Sequence, residues 1–150
     1  MIGVDTNLLI YAHRAGLPEH RVARRALERA ASMPGGWGIS QASMAEFWSV
    51  VTHPASAGRP SSGAEAVAFL SSLVDEGGAQ VWLPAPGFPE RLVRLAAGLN
   101  VRGPRIFDLQ IALTAFEHGA REIWTHDRRF VSVPGLRVRD PLAPGRRPPR

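Results

Sequence analysis

The spacing of apolar residues changes repeatedly along this chain, and each change marks an element. Ile2-Gly3-Val4 is a short apolar run, broken by Asp5-Thr6-Asn7, after which Leu8-Leu9-Ile10-Tyr11-Ala12 is apolar again. That pattern reads as a buried strand that surfaces at Asp5 and turns into a helix from about Leu8, with Thr6 and Asn7 able to cap it. A second helix follows Pro18 and Glu19; Val22, Ala23, Ala26, Leu27 and Ala30 form its apolar stripe, and Arg21, Arg24, Arg25, Glu28 and Arg29 its solvated side. Pro34-Gly35-Gly36 breaks the chain before a short strand, Trp37-Gly38-Ile39, that ends at Ser40. Helical spacing then runs through Met44, Phe47, Trp48 and Val51 and stops before Pro54, with Glu46 inside it.

Residues 54–61 are rich in Pro, Gly and Ser and form a loop carrying Arg59. Ser62 and Glu65 have capping-box spacing at the head of a helix that uses Val67, Leu70 and Leu73 or Val74 and ends at Gly77-Gly78. A strand over 80–83 and an amphipathic helix over 88–99, with Leu92, Leu95, Ala96 and Leu99 on its buried side, come next. After a loop over 100–105, residues 106–116 are apolar around most of the helix circumference, so this helix is predicted to be central, with Asp108 in its first turn. A strand over 122–125 finishes at His126-Asp127, and 136–138 is a candidate last edge strand. No internal repeat is present. Strands alternating with helices imply a parallel sheet covered on both faces, so the expected fold is α/β, a three-layer sandwich with a central parallel sheet of four to five strands. The expected domain spans residues 1–140, followed by a Pro- and Arg-rich tail over 141–150 that is expected to be disordered.

Composition narrows the chemistry. At 150 residues, 45% hydrophobic and 21% charged, the chain suits one globular domain. The absence of cysteine removes disulfides, thiolate nucleophiles and cysteine-zinc sites. All 18 basic residues are arginine, so no P-loop lysine or Schiff base is possible. The net charge is +5, but Arg146, Arg147 and Arg150 lie in the tail and leave the remainder near +2, which permits nucleic-acid binding without requiring it. No basic segment precedes the first apolar run, and no window reaches the ~18 apolar residues of a membrane span. A cytoplasmic location is expected.

Three acids stand where a carboxylate is costly unless something binds it, and a fourth follows a strand. Asp5 ends the first strand, Glu46 lies among Met44, Phe47 and Trp48, Asp108 opens the most apolar helix, and Asp127 follows a strand. Asp5 taken alone serves equally well as a helix cap. In an open parallel sheet, however, strand ends and helix starts share the carboxyl edge where ligands bind, so the four can converge. Two carboxylates at ~4 Å repel by about 4 kcal/mol at an effective dielectric near 20. Protonation or a cation must relieve that repulsion, and an all-oxygen donor set suits a hard ion, Mg²⁺ or Mn²⁺. Such an ion activates water toward an anionic oxygen substrate, most naturally a phosphodiester. Of the other acids, Glu19, Glu28, Glu65, Glu76, Glu90 and Glu117 lie at helix starts or beside arginines.

Val4-Asp5-Thr6-Asn7, Ala45-Glu46-Phe47, residues 106–112 around Asp108, and Thr125-His126-Asp127-Arg128-Arg129-Phe130 together resemble PIN-domain ribonucleases, and within them the VapC toxins of bacterial toxin–antitoxin pairs. The resemblance spans residues 1 to about 140. It implies Mg²⁺- or Mn²⁺-dependent RNA cleavage by Asp5, Glu46, Asp108 and Asp127, usually in a homodimer, with a small antitoxin that occupies the site, often through an arginine or aromatic side chain. Thr6, Asn7 and Thr125 match polar positions that support the acids. Arg128 and Arg129, on the rim, are candidates for holding an RNA phosphate, with Arg102 and Arg105 behind them. His126, beside Asp127, is a candidate for touching substrate, with a solvent-facing role as the default, and His118 reads as a cation near a helix C-terminus. His13, His20 and His53 are expected on loops or helix surfaces, and Trp37, Trp48, Trp82 and Trp124 in the core or at a dimer contact. Two rivals stand beside this reading. Haloacid-dehalogenase-like phosphatases also open with a strand and an aspartate, but carry a second acid where this chain has Asn7, and generally a lysine. A catalytically inactive PIN-like binding module would gain by losing its mutually repelling acids.

Overall fold

Five strands and six helices are formed by the residues described in the computed structural model, 1–56 and 58–143. In chain order they are β1 (Ile2–Val4), α1 (Thr6–His13), α2 (His20–Ala31), β2 (Trp37–Ser40), α3 (Gln41–Val51), α4 (Gly63–Asp75), β3 (Gln80–Trp82), α5 (Phe88–Gly98), α6 (Arg105–Glu117), β4 (Glu122–Trp124) and β5 (Arg137–Arg139). The strands form one sheet in the order β3-β2-β1-β4-β5, parallel throughout. Gly3 faces Gly38 on one side and Ile123 on the other, so β1 lies at the centre of the sheet.

Side-chain alternation sorts the helices into two layers. Ile2, Val4, Trp37, Ile39 and Trp124 point to the face where Leu8, Leu9, Ala23, Leu27, Phe47 and Leu70 pack. Ile123 and Trp82 point to the opposite face, against Leu109, Ala112, Ala115, Phe88 and Val133. Helices α1, α2 and α4 cover the first face, and α5 and α6 the second. The three-layer α/β sandwich expected from the alternation of elements is therefore the observed fold, and α6 lies on β1 and β2 as its apolar circumference required.

Several local readings shift by a residue or two. Helix α1 starts at Thr6, not Leu8, and its cap is Asp5, which takes an extended backbone and accepts from the Thr6 amide. Thr6 and Asn7, expected as caps, have their side chains free for other partners because Asp5 already fills that role. Ser40 caps α3, and Ser62 with Glu65 forms the capping box of α4. Strand β5 begins one residue later than expected, because Leu136 is drawn into the core beneath the sheet edge. Trp37, Trp82 and Trp124 are buried, whereas Trp48 is 41% exposed and Val67, Val22 and Leu99 also lie outside the core. Helix periodicity marks a face, but only packing decides which residues at its margin are covered. Leu142 packs on the first core layer, and residues 144–150 of the tail lie outside the described residues.

Trp82 explains two glycines in adjacent strands. The indole of this residue of edge strand β3 crosses Gly38, and a Cβ on Gly3 would lie 2.8 Å from Ile123 Cδ1 and 2.9 Å from Ala115 Cβ. A methyl at Gly38 would run into the Trp82 ring. Gly38→Ala is expected to cost about 1–3 kcal/mol through overpacking. Gly98→Ala, at the end of α5 where nothing lies within 4 Å, should be neutral or slightly stabilising. Urea melts of the two variants check the contrast, and equal stability would contradict this account of the packing.

Candidate active site

The order β3-β2-β1-β4-β5 places a topological switch beside β1, and the crevice above its carboxyl end is where ligands gather in such sheets. Asp5 is the first residue past β1 and is 6% exposed. Its carboxylate is held by three donors. Oδ1 accepts from the Thr6 amide at 2.7 Å, and Oδ2 accepts from Thr125 Oγ1 at 2.7 Å and Asn7 Nδ2 at 2.9 Å. Burial still dominates and, with Glu46 and Asp108 nearby, raises the Asp5 carboxyl to about 6 despite those donors.

Each of the other acids reaches the same crevice from a different element. Glu46 comes from the middle of α3, and its Oε2 accepts from Thr6 Oγ1 at 2.9 Å. Asp108, in the first turn of α6, accepts from the Val131 amide at 3.3 Å and from Arg105 Nη1 at 2.9 Å. Asp127, just beyond β4, accepts from the same Arg105 Nη1 at 2.7 Å and from the Arg129 amide at 2.8 Å. Arg105 foremost, then the amide, holds the Asp127 carboxyl below the usual range. Asp5, Glu46, Asp108 and Asp127 all line one cleft of about 400 Å³, together with Thr6, Asn7, Ile10, Tyr11, His126 and Arg129. Larger grooves elsewhere, such as one of about 760 Å³ between α2 and α4, contain neither this acid set nor its polar network.

Thr125 knots the network together. Its hydroxyl donates to Asp5 and accepts from Asn7 Nδ2 at 2.8 Å and from the Asp127 amide at 3.1 Å, using its one proton and both lone pairs. Asn7 Oδ1 in turn accepts from the His126 amide at 3.2 Å. Thr6, Asn7 and Thr125 thus contact the acids that the sequence assigned them to support. Arg129 lines the cleft, while Arg128 is exposed and stands outside it.

Three residues take roles that the sequence pattern does not show. His126 lines the cleft with its side chain 34% exposed, while its Nδ1 sits 2.9 and 3.0 Å from the two oxygens of Asp140 and its ring meets Tyr11 edge-on. Asp140, the residue directly after strand β5, carries no signal of its own in the sequence pattern. Arg105, ranked behind Arg128 and Arg129, is the arginine that contacts the acids. His118 does lie at the end of α6, but it stacks on Trp82 and bonds the Leu83 carbonyl.

Among the described residues, no three His, Asp or Glu side chains stand close enough to grip an ion as they are. The donor set nonetheless fits a hard divalent cation. It consists of oxygens alone, and no hydrogen bond from the described residues falls on Glu46 Oε1 or Asp108 Oδ1. A buried carboxyl pushed up to about 6 by burial and neighbouring acids is also a group that a cation would ionise.

Comparison with known proteins agrees with this geometry. The PIN domain family model matches residues 2–136. VapC ribonuclease Mb2897 of Mycobacterium bovis is 33% identical over 142 residues, covering 95% of this chain and 96% of the relative. Ribonuclease VapC48 of Mycobacterium tuberculosis is 29% identical over 139 residues, covering 93% and 96%. Among solved structures, VapC20 of Mycobacterium tuberculosis, described as a sarcin-ricin loop cleaving toxin, superposes with a TM-score of 0.66 at 19% identity over 87% of this chain and 92% of that one. FitAB bound to a DNA fragment gives 0.68 at 17% identity over 95% and 96%. The chain therefore belongs to the PIN domain family and, within it, to the VapC ribonucleases.

Proposed function

We propose that this chain is a divalent-metal-dependent endoribonuclease that hydrolyses RNA phosphodiesters and acts as the toxin of a toxin–antitoxin pair. The observation that carries the reading is the buried Asp5 carboxylate, sharing one cleft with Glu46, Asp108 and Asp127. Asp5, Glu46, Asp108 and Asp127 would hold Mg²⁺ or Mn²⁺. When bound, the cation supplies a polarised water to attack phosphorus and offsets charge on the leaving oxygen.

The chain's own residues prepare that event. Thr125, Asn7 and the Thr6 amide fix the rotation of the Asp5 carboxylate, and Thr6 fixes Glu46, so the donors need little reorganisation. With a cation bound, Asp5 would be held ionised against the burial, foremost, and the neighbouring Glu46 and Asp108 charges that raise its carboxyl. Asp5 and Glu46, which Arg105 does not reach, repel an RNA phosphate until a cation compensates them. Arg129, on the cleft wall, is the rim arginine best placed to meet the RNA backbone. Membership of the PIN family sets aside the phosphatase alternative, and retention of all four acids speaks against an inactive module.

The partners follow from the same reading. A small antitoxin blocking this cleft is the expected regulator; among similar folds, VapBC2 from Rickettsia felis is described bound to a DNA fragment from its promoter. A homodimer is supported by Phe107, which is 60% exposed one residue before Asp108 and beside a groove lined by Ala42, Ala45, Ser49, Gln110 and Ile111. No helix among the described residues is long and apolar enough to cross a membrane, and an RNA substrate fits a cytoplasmic location.

Asp5→Asn or Asp108→Asn should abolish Mg²⁺- or Mn²⁺-dependent cleavage of a total-RNA pool, and Thr125→Val should weaken metal affinity roughly 10–100-fold. Full cleavage by Asp5→Asn, or cleavage by wild type in EDTA, would refute the metal mechanism. Asp5 also makes a stability prediction. Its folded pKa, about 6, exceeds the unfolded 3.8, so the native state binds the extra proton and stability falls as pH rises between those values. The loss should total at most about 3 kcal/mol by pH 7 without metal, of which roughly 1.4 kcal/mol falls between pH 5 and 7.5, where urea melts read it, and it should shrink when Mn²⁺ is added. A flat profile would show that Asp5 ionises freely. Phe107→Glu should shift the chain from dimer to monomer in sedimentation equilibrium; an unchanged mass would remove α6 from the interface.

A further inference from the structure

The guanidinium of Arg105 occupies a position that the nuclease reading reserves for another cation. Arg105 opens α6, and one nitrogen, Nη1, donates to Asp108 Oδ2 at 2.9 Å and to Asp127 Oδ2 at 2.7 Å. Two of the four acids assigned to the metal are thus already bridged by a positive charge from the chain itself. Among the described residues Asp5 and Glu46 have no such partner; their donors are the neutral hydroxyls, amide and carboxamide described above. The acid set is therefore split into one half compensated by the protein and one half that is not.

A divalent ion and a guanidinium repel each other, so an ion that recruits Asp108 or Asp127 must loosen the Arg105 bridge. Arginine cannot yield by losing its proton, so the side chain has to move. It is free to do so, being 32% exposed at the rim rather than locked in the core. Once displaced, it needs another anion within reach, and with the acids committed to metal the remaining anion is the RNA phosphodiester. The planar fork of the guanidinium suits a phosphate better than the single-nitrogen contacts it makes with the two carboxylates.

Resting on the metal-nuclease reading, we propose that Arg105 exchanges partners: without a divalent ion it bridges Asp108 and Asp127, and with the ion in place it turns to hold a phosphate of the RNA substrate. Arg105 is thus a substrate-binding residue that also sets how much metal the site requires. A purely structural brace would behave differently, because removing a brace scatters the acids and weakens metal binding.

The test titrates Mn²⁺ alone into the full-length chain by calorimetry, for wild type, Arg105→Ala and Arg105→Gln, with thermal melts to establish that each is folded. The glutamine variant keeps most of the side-chain volume should the alanine variant not fold. Both should bind Mn²⁺ roughly five- to tenfold tighter than wild type, the size expected from losing one partly exposed ion-pair competitor. At saturating Mn²⁺ both should also show KM for a short RNA raised by about tenfold, with kcat changed much less. Unchanged or weaker Mn²⁺ binding in folded variants would overturn the exchange while leaving the nuclease intact. Tighter Mn²⁺ binding with an unchanged KM would overturn the phosphate contact. A wild-type chain that neither binds Mn²⁺ nor cuts RNA would overturn the nuclease reading and this inference with it.

Discussion

A carboxylate buried at the end of the central strand is the constraint around which this molecule is arranged. Asp5 lies where β1 gives way to α1, almost out of reach of water. An uncompensated charge there would cost several kcal/mol, so the surrounding chain supplies donors from three directions. The Thr6 amide comes from the first turn of α1, the Asn7 carboxamide from the next residue, and the Thr125 hydroxyl from the far side of β4. These donors are neutral, and they do not fully offset the burial; the carboxyl remains raised to about 6. The fold thus holds an acid in an environment where gaining a cation is more favourable than staying bare.

The sheet order makes that burial possible. β1 is flanked by β2 and β4, so its carboxyl end opens at the point where the chain's crossovers diverge to either side. Helix α3 leaves β2 carrying Glu46, α6 begins beside the same edge carrying Asp108, and the turn after β4 carries Asp127. None of these acids is near another in sequence, and the network Thr6–Glu46, Asn7–Thr125 and Arg105–Asp127 ties them across the edge. Close packing beneath it depends on Gly3 and Gly38, which leave room for the Trp82 indole and the Ala115 methyl.

Electrostatic compensation is uneven across the cleft. Asp108 and Asp127 share a guanidinium, whereas among the described residues Asp5 and Glu46 are held by neutral groups alone. His126 is oriented by Asp140 on the wall beside Tyr11, extending the polar lining outward from the acids. The cleft is therefore graded, from a buried and uncompensated acid at its floor to arginine and histidine at its rim. That grading suits a small dense cation inside and a larger polyanion outside.

Much of this was legible along the chain, and the reason is periodicity. Alternating apolar runs and helical stripes are local signals, so the strands at Ile2–Val4 and Trp37–Ser40, the capping box at Ser62 and Glu65, and the central apolar helix after Pro104 could be read in order. Asp5, Glu46 and Asp108 are legible because each interrupts an apolar context, and Asp127 because it follows a strand. Residues on helix margins, such as Trp48 and Val67, escaped that logic because burial there depends on which neighbour arrives. The sequence by itself determined the element order, the parallel α/β architecture and the identity of the four acids, since each follows from local pattern or residue chemistry. Only the tertiary structure decided that Asp5 caps its own helix, that Thr125 saturates its hydroxyl between Asp5, Asn7 and Asp127, that Asp140 claims His126, and that Arg105 bridges two acids. Those are pairings between distant segments, and hydrogen-bond geometry exists only after the chain has brought its ends together.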